Sequence, residues 1–223
     1  MKGKLIVVEG LDGSGKSTHV AILKKYLEDK GLDVLQIKLP CYEDRSSTLV
    51  RMYLDGEFGT DPSDVNAYAA STFFAADRYA SYKTRWGRKY LDGGVILADR
   101  YTTSNAYHQM TKLPKSEWDS YLDWLFDYEY VKLGIPKPDC VVFLNMPVEV
   151  SQRLMSQRYN GDENKKDVHE RNVAYLEHCM EAACYAASRL NWSVVNLCEN
   201  SVPRSIEDNS RDVCDLVERI LLK

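Results

Sequence analysis

The stretch that decides the fold reads LIVVEGLDGSGKST and occupies residues 5–18. An apolar run, residues 5–8, leads into a glycine-rich turn that matches G-x-x-x-x-G-K-[ST], and a helical pattern follows. Glycines in such a turn let backbone N–H groups approach phosphate oxygens, and the helix presents its positive N-terminal end to them. The alternative is a glycine turn with a chance lysine, but the strand, the spacing and the helix together predict a phosphate-binding loop.

The polar residues of this loop have expected tasks. Lys16 supplies a cation to the β- and γ-phosphates, and the Ser17 hydroxyl is placed to reach Mg²⁺. We therefore expect Mg²⁺ as the cofactor. The loop residues expected around a bound nucleotide are Gly10, Asp12, Gly13, Ser14, Gly15, Lys16, Ser17 and Thr18.

Length and composition are those of one domain, residues 1–223, with 44% hydrophobic and 28% charged residues. The net charge of -4 argues against a general nucleic-acid binder. The pattern shows neither a signal segment nor an apolar run long enough for a membrane. The six cysteines form no C-x-x-C pair or zinc spacing, so buried free thiols and a cytoplasmic location are expected.

Strand and helix patterns alternate along the chain, which predicts an α/β fold with a five-stranded parallel sheet and helices on both faces. The expected strands are residues 5–9, 34–39, 95–98, 140–144 and 194–197. The expected helices are 16–29, one from Asp61-Pro62 to about 82 that continues to 91, a stretch after Ser104, 116–133, one after Pro147, 168–190 and 206–222.

Asp99-Arg100-Tyr101 closes the third expected strand. Because ligands on parallel sheets bind beyond the carboxyl ends of the strands, these residues are expected to face the glycine loop. Asp99 is a candidate for Mg²⁺ or its water shell, and the planar guanidinium of Arg100 suits a phosphate. A turn with a surface ion pair is the alternative.

Two further segments carry possible binding chemistry. Phe74 and Arg78 lie four residues apart on a helix and share a face, where a ring and a guanidinium could stack on a base and bond its edge; a core phenylalanine beside a surface arginine is the simpler interpretation. The polar stretch 159–167, flanked by Arg153 and Arg158, is either a solvated loop or a short lid at about 158–167.

Taken together, these motifs resemble those of the thymidylate kinases over nearly the whole chain. Residues 8–18 resemble the family's P-loop and Phe74 to Arg78 its base-binding segment. Its DR[YH]xxS…Q motif is similar to residues 99–109. Two further similarities are Lys137-Pro138-Asp139 with Pro147-Val148-Glu149, and Asp167 with Glu170 before a long helix. The fold this implies is that of P-loop NTPases of the nucleotide-kinase type.

The resemblance implies an enzyme that transfers the γ-phosphoryl group of ATP to dTMP, giving dTDP, and that forms a homodimer. It also implies residue roles. Asp12 approaches the deoxyribose 3′-hydroxyl, Arg45 and Arg100 hold the acceptor phosphate, Phe74 stacks on thymine, Arg78 bonds its edge, Gln109 faces the base, and Arg153 lies near the adenine of ATP.

The chain departs from the family pattern at two places. Some members of the family carry an arginine inside the P-loop, at the position where this chain has Gly13. Members without that arginine carry one in the lid instead. Val168 follows Asp167 here, so the catalytic lid cation is sought among Arg158, Lys165 and Lys166, with Arg158 preferred. His108 stands beside Gln109 where the family often has an aromatic residue, which bears on contacts to the sugar and base.

A monophosphate acceptor is already an anionic nucleophile, so the expected catalysis is positioning and charge neutralisation by Lys16, Mg²⁺, Arg100 and Arg158. The four histidines are expected mostly on helix surfaces, without a catalytic role.

One rival to this function is a deoxynucleoside kinase, for which Glu43 or Asp44 could act as base. A monophosphate kinase of other base specificity is a second rival. A nucleotide-binding switch is a remote rival, because such proteins usually read guanine through an N-K-x-D motif and this chain has none.

Overall fold

The central sheet contains five parallel strands in the order β2-β3-β1-β4-β5. The structure is a computed structural model that describes residues 2–158 and 172–221. The strands are β1 (Lys4–Glu9), β2 (Val34–Lys38), β3 (Val95–Asp99), β4 (Cys140–Asn145) and β5 (Ser193–Asn196). The predicted α/β fold and its five-stranded parallel sheet are confirmed, with every strand end within one residue of its expected position.

Helices pack on both faces of the sheet. They are α1 (Lys16–Asp29), α2 (Thr48–Leu54), α3 (Ala67–Ser81), α4 (Gly87–Leu91), α5 (Thr102–His108), α6 (Trp118–Phe126), α7 (Val148–Arg158), α8 (Val173–Arg189) and α9 (Ile206–Leu221). Alternate residues of β1 enter different cores, because successive strand side chains point to opposite faces. Ile6 and Val8 pack with Leu23 of α1, whereas Leu5 and Val7 share a core with Trp86.

The helix expected to start at Asp61-Pro62 begins later, at Ala67. Asp61 instead caps a single 3₁₀ turn, where its side chain accepts from the Ser63 N–H and Asp64 reaches back to the Asp61 N–H. These two hydrogen bonds form a capping box that is confined to this single turn. The backbone is extended again at Val65, so the helix does not continue from here. Asn66 provides the true N-cap by accepting from the Ala69 N–H.

Other elements differ from the expected pattern in detail. Residues 82–86 and 127–132 are π-helical continuations of α3 and α6. The expected helix 168–190 is described only from Val173, where Asn172 caps α8, and residues 168–171 lie outside the described part. Short elements without a clear apolar period were not anticipated, namely α2 and an antiparallel hairpin of β6 (Cys198–Glu199) and β7 (Val202–Pro203).

The strand order brings the expected functional segments to one edge of the sheet. β1 lies between β3 and β4, and Val8 of β1 pairs in register with Asp99 at the end of β3. The loop after β1 and the turn after β3 therefore leave the sheet side by side, at the position where parallel α/β sheets bind ligands.

All six cysteines are free thiols, as expected, but they are not all buried. Cys184 is exposed on α8, and Cys41 and Cys198 are half-buried. A helical pattern alone does not separate the inner from the outer face at a single small residue, which explains the error at Cys184. Within residues 2–158 and 172–221, no helix has the length and apolar character needed to cross a membrane.

Candidate active site

The glycine loop connects β1 to α1 and packs tightly against α7. Gly13 has φ +80°, and a Cβ placed there would lie 2.8 Å from the Ser151 carbonyl oxygen and 2.9 Å from Cγ of Met155. Only glycine fits this position without displacing α7. The buried Ser14 Oγ in the same loop has no hydrogen-bond partner among the described residues, which leaves a hydroxyl available to a ligand such as a phosphate.

Lys16, the first residue of α1, turns its side chain back over the loop. Its Nζ donates to the Leu11 carbonyl oxygen at 2.9 Å and lies 3.6 Å from Oδ1 of Asp12. Burial, and then the neighbouring charge of Arg100, lower the pKa of Lys16 to about 8. The ammonium is thus confined inside the loop, where it can meet nucleotide phosphates.

Ser17 and Asp99 meet across the strand ends. The Ser17 hydroxyl donates to Oδ2 of Asp99 at 2.9 Å, and Asp99 is buried at the end of β3. A hydroxyl and a carboxylate next to a phosphate-binding loop form a set of hard oxygen ligands, the kind that Mg²⁺ shares with phosphates and water. These two residues therefore fit the metal that the sequence predicts.

Arg100 has left-handed backbone geometry, with φ 69°, which is uncommon for a residue with a side chain. Its guanidinium does not pair with the adjacent Asp99, so a surface ion pair within the turn is excluded. It donates instead to Oδ1 of Asp12 at 2.5 Å and to the Tyr107 hydroxyl at 3.0 Å. Burial opposes ionisation of Asp12, but Arg100 and Lys16 outweigh it and hold the pKa of that carboxyl well below its usual range.

Glu9 organises the turn that carries Arg100, a role that the sequence did not reveal. Its buried carboxylate accepts four hydrogen bonds, from the Tyr101 N–H and from the hydroxyls of Thr103, Ser104 and Tyr107, at 2.6–3.1 Å. Four donors on one carboxylate offset the cost of burying its charge. The signal that could have found it is a glutamate that ends an otherwise apolar central strand.

Arg78 is buried, so the interpretation of a surface arginine beside a core phenylalanine is wrong. Its Nε and Nη2 bind both carboxylate oxygens of Glu129 at 2.6 and 2.5 Å, and Thr102 donates to the same carboxylate at 2.8 Å. Glu129 comes from the π-helical continuation of α6, which no sequence motif marked. Phe74, one turn before Arg78, contacts Tyr53 edge-on with ring centroids 6.2 Å apart.

A cavity of about 220 Å³ lies beside the glycine loop. It is lined by Asp12, Lys38, Leu39, Pro40, Tyr42, Leu54, Phe74, Asp77, Arg78, Arg100, Tyr101, Ser104, Asn105, His108 and Gln109. Gln109 is 1% exposed, and its Oε1 accepts no hydrogen bond from the described residues. An acceptor in this state at a cavity wall indicates a ligand with an N–H or O–H donor.

Five of the six residues expected around the acceptor therefore line one cavity, and Arg45 does not. Arg45 is exposed in a 3₁₀ turn. Arg153 is exposed on α7, close enough to Cys198 of the β6–β7 hairpin to lower the pKa of that thiol against the dominant effect of burial. Arg158 ends α7, and its side chain and most of the expected lid, residues 159–167, lie outside the described part.

The expectation that histidines lie mostly on helix surfaces is wrong for two of them. His19 is buried in α1, where its Nδ1 lies 2.9 Å from the Ser210 hydroxyl, and His108 lines the cavity. His178 is exposed on α8, and His169 lies outside the described residues. The apolar period of a helix does not predict which polar residues pack against a neighbouring helix. His19 packs against α9 and His108 against α8, so both lie at helix contacts.

The fold and this site are those of a P-loop kinase, in which a glycine-rich loop adjoins a cavity lined by aromatic and charged side chains. The family model described as thymidylate kinase matches residues 8–206. With this match across most of its length, the chain belongs to the thymidylate kinase family. It is accordingly a nucleoside monophosphate kinase, and the family supports dTMP as its acceptor.

Individual relatives agree with this assignment. A probable thymidylate kinase from Pyrococcus horikoshii is 32% identical over 224 residues, which cover 100% of this chain and 99% of the relative. The thymidylate kinase of Mycobacterium tuberculosis is 33% identical over 173 residues, 76% of this chain and 78% of that protein. The solved thymidylate kinase from Candida albicans has a TM-score of 0.72 at 22% identity, covers 98% of this chain and 92% of its own, and supports the fold.

Proposed function

We propose that this protein transfers the γ-phosphoryl group of ATP to dTMP, with the acceptor bound in the cavity beside the glycine loop. The observation that carries this proposal is the pair of polar groups at Gln109 and Arg78. Among the described residues, Oε1 of Gln109 accepts no hydrogen bond, and Arg78, whose Nε and Nη2 donate to Glu129, keeps Nη1 as a donor. Thymine presents an N3–H donor and an O4 acceptor, which complement both groups, whereas cytosine reverses the two.

The ring of Phe74 provides the stacking surface for that base. It lines the cavity and packs edge-on against Tyr53. The base would therefore stack on a ring whose orientation is already fixed. A fixed ring next to fixed polar groups lowers the ordering cost of binding a planar ligand.

We assign the acceptor phosphate to Arg100, helped by Arg45, and the deoxyribose 3′-hydroxyl to Asp12. Arg100 and Asp12 already meet at 2.5 Å beside the loop, so a nucleotide there would bring its phosphate towards Lys16. The phosphate oxygen of the acceptor is the nucleophile and needs no general base. The positions of Glu43 and Asp44, the candidate bases of a nucleoside kinase, favour a monophosphate as the acceptor. Neither residue lines the cavity, and Asp44 is paired with Arg85.

The donor side of the reaction belongs to the glycine loop. Residues 10–18 would hold the phosphates of ATP, with Lys16 neutralising the charge that develops on the transferred group, and Arg153 would lie near the adenine. Ser17 and Asp99 would hold Mg²⁺, which when bound screens the β- and γ-phosphate oxygens. Donor and acceptor bound in this way would meet at the loop, where positioning and charge neutralisation supply the catalysis.

Acceptor preference tests this function directly. In a coupled ADP-release assay we expect kcat/KM for dTMP to exceed that for dCMP or dGMP by about 100-fold or more, because mismatched polar groups in a buried site are costly. dUMP, which lacks one methyl group, should lose about tenfold. Equal or faster turnover of thymidine would instead support the nucleoside kinase, and acceptor-independent GTP hydrolysis would support the switch.

We propose that residues 1–223 form a single kinase domain and that this domain includes a short lid. We propose that residues 158–167 close over ATP and that Arg158 is the catalytic cation that Gly13 cannot supply. Arg158→Ala should lower kcat by about 100-fold while changing ATP affinity far less, since the contact forms in the transition state. Lys165→Ala and Lys166→Ala are the matched controls, and a loss confined to either of them would move the assignment there.

We further propose a cytoplasmic homodimer. An aromatic face on α3 and α6 supports the second copy: Tyr68 and Tyr79 are each 38% exposed, and Tyr68 packs edge-on against Trp124 of α6 with centroids 4.7 Å apart. Aromatic side chains on one face are typical of interfaces between copies. Sedimentation equilibrium would test it, with twice the chain mass expected; the six free thiols are in keeping with a reducing compartment.

A further inference from the structure

His108 connects the acceptor cavity to the arginine assigned to the acceptor phosphate. Its ring lines the cavity at the end of α5, with Nε2 3.2 Å from Nη1 of Arg100 and Nδ1 3.6 Å from Sγ of Cys179. An arginine nitrogen can only donate, so Nε2 must be the acceptor and the ring proton belongs on Nδ1. The contact with Arg100 therefore requires the neutral form of His108.

The His108 ring is held in this orientation by its neighbours. The Tyr175 hydroxyl of α8 donates to the His108 carbonyl oxygen at 2.7 Å, and the Tyr175 ring lies nearly parallel to the imidazole, 24° apart with centroids at 6.4 Å. The Tyr107 ring lies on another side, with centroids 4.5 Å apart. A ring packed in this way does not easily turn away from Arg100 when its charge changes.

We propose that His108 is a positioning residue that holds Arg100 in place for the acceptor phosphate, and that protonation of His108 weakens dTMP binding. The proposal rests on the function proposed above, because it takes Arg100 to receive the phosphate of dTMP. A protonated ring would turn an Nε2–H towards the guanidinium and place two cations 3.2 Å apart. It would also compete with Arg100 for the carboxylate of Asp12.

Charged and titratable groups face His108 from several elements. They are Asp12 of the glycine loop, Arg100 of the turn after β3, Tyr107 of α5, Tyr175 and Cys179 of α8, and Lys112 beyond Cys179. Burial raises the pKa of Cys179 to about 12 and that of both tyrosines, so these groups stay neutral between pH 5.5 and 7.5. Asp12 stays ionised there because Arg100 and Lys16 hold its pKa low against burial. Lys112, whose pKa burial lowers to about 8, is already mostly protonated at pH 7.5, so the larger charge change that this range can produce within the cluster is that of an imidazole.

The test compares the pH dependence of kcat/KM for dTMP in the wild type and in His108→Gln, whose amide can accept near the Nε2 position but does not titrate. Between pH 7.5 and 5.5 we expect the wild-type value to fall about tenfold more than that of the variant, because protonation of the ring breaks the contact that Arg100 donates to Nε2. The phosphate of dTMP titrates equally in both reactions and cancels in the ratio. His178→Gln, on the exposed face of α8, should keep the wild-type profile.

Superimposable profiles for wild type and His108→Gln would overturn the proposal, as would a steeper rise in KM for ATP than for dTMP as the pH is lowered. Should circular dichroism show that the glutamine variant is unfolded, His108→Asn serves for the same comparison. NMR titration of the wild-type imidazole gives a second test, since a ring that keeps one charge state from pH 5.5 to 7.5 also excludes the proposal. An enzyme that does not turn over dTMP at any pH would contradict the proposed function instead.

Discussion

Lys16→Ala should retain the fold and lose nearly all turnover, with kcat/KM for ATP and dTMP reduced about 10³-fold or more. The ammonium lies inside the glycine loop, where it donates to the Leu11 carbonyl oxygen and lies 3.6 Å from Oδ1 of Asp12. Removing a preorganised charge from such a site costs transition-state stabilisation that water replaces poorly. Steady-state kinetics on protein verified by circular dichroism would measure the loss.

Two comparisons make this prediction specific. Lys24→Ala removes a lysine from the outer face of the same helix, where Lys24 pairs with Glu28, and should leave the rate within about twofold. In the wild type, ATP affinity should fall about tenfold from pH 7 to pH 9, because the pKa of Lys16 is lowered to about 8 and free enzyme above that pH has lost the cation. Wild-type activity in Lys16→Ala, or equal pH dependence in both proteins by calorimetry, would contradict its role.

Glu129→Ala should lower the free energy of unfolding by about 3–5 kcal/mol, because it leaves the buried guanidinium of Arg78 without its counter-charge. Arg78 is 3% exposed and Glu129 is fully buried, and Thr102 also loses its acceptor. Urea denaturation followed by circular dichroism would measure the change. The same variant should lose discrimination between dTMP and dCMP, since Arg78 is no longer held at the cavity.

A surface pair and a double variant provide the controls. Glu181→Ala breaks an ion pair with Lys115 on exposed side chains and should cost less than about 1 kcal/mol. Arg78→Met with Glu129→Leu replaces both charges by apolar groups and should recover much of the stability without recovering the preference for dTMP. Equal losses in Glu129→Ala and Glu181→Ala would show that the buried pair has no special role.

The sheet and the side-by-side placement of the glycine loop and Asp99 were predictable because both depend on local patterns. Short apolar runs followed by glycine or by Asp99-Arg100 mark strands and their carboxyl ends, and parallel pairing then brings those ends together. Ser17 and Asp99, which are 82 positions apart in the chain, lie within hydrogen-bond distance for this reason. Gln109 and Phe74 also line the cavity, and their roles towards a base stay a prediction.

The partners of the charged groups were not predictable from local patterns. The carboxylate of Glu129 reaches Arg78 because the helix that carries it continues as a π-helix, and no residue pattern in the segment specified that change. The sequence predicts Glu9 only as part of a strand, but its four donors come from Tyr101 in the turn after β3 and from three hydroxyls of α5. Such pairings are decided by tertiary packing, in which a buried charge must find its donors wherever the fold provides them.

The close approach of Gly13 to α7 has an evolutionary consequence. Members of this family that carry an arginine in the loop need room for a side chain at that position, but here the Ser151 carbonyl oxygen would lie 2.8 Å from its first carbon. Moving the catalytic cation into the loop would therefore require coordinated replacement along α7, starting with Met155, before any benefit in rate could be selected. A single substitution at position 13 leads only to steric conflict, so the two types of loop are separated by a fitness valley.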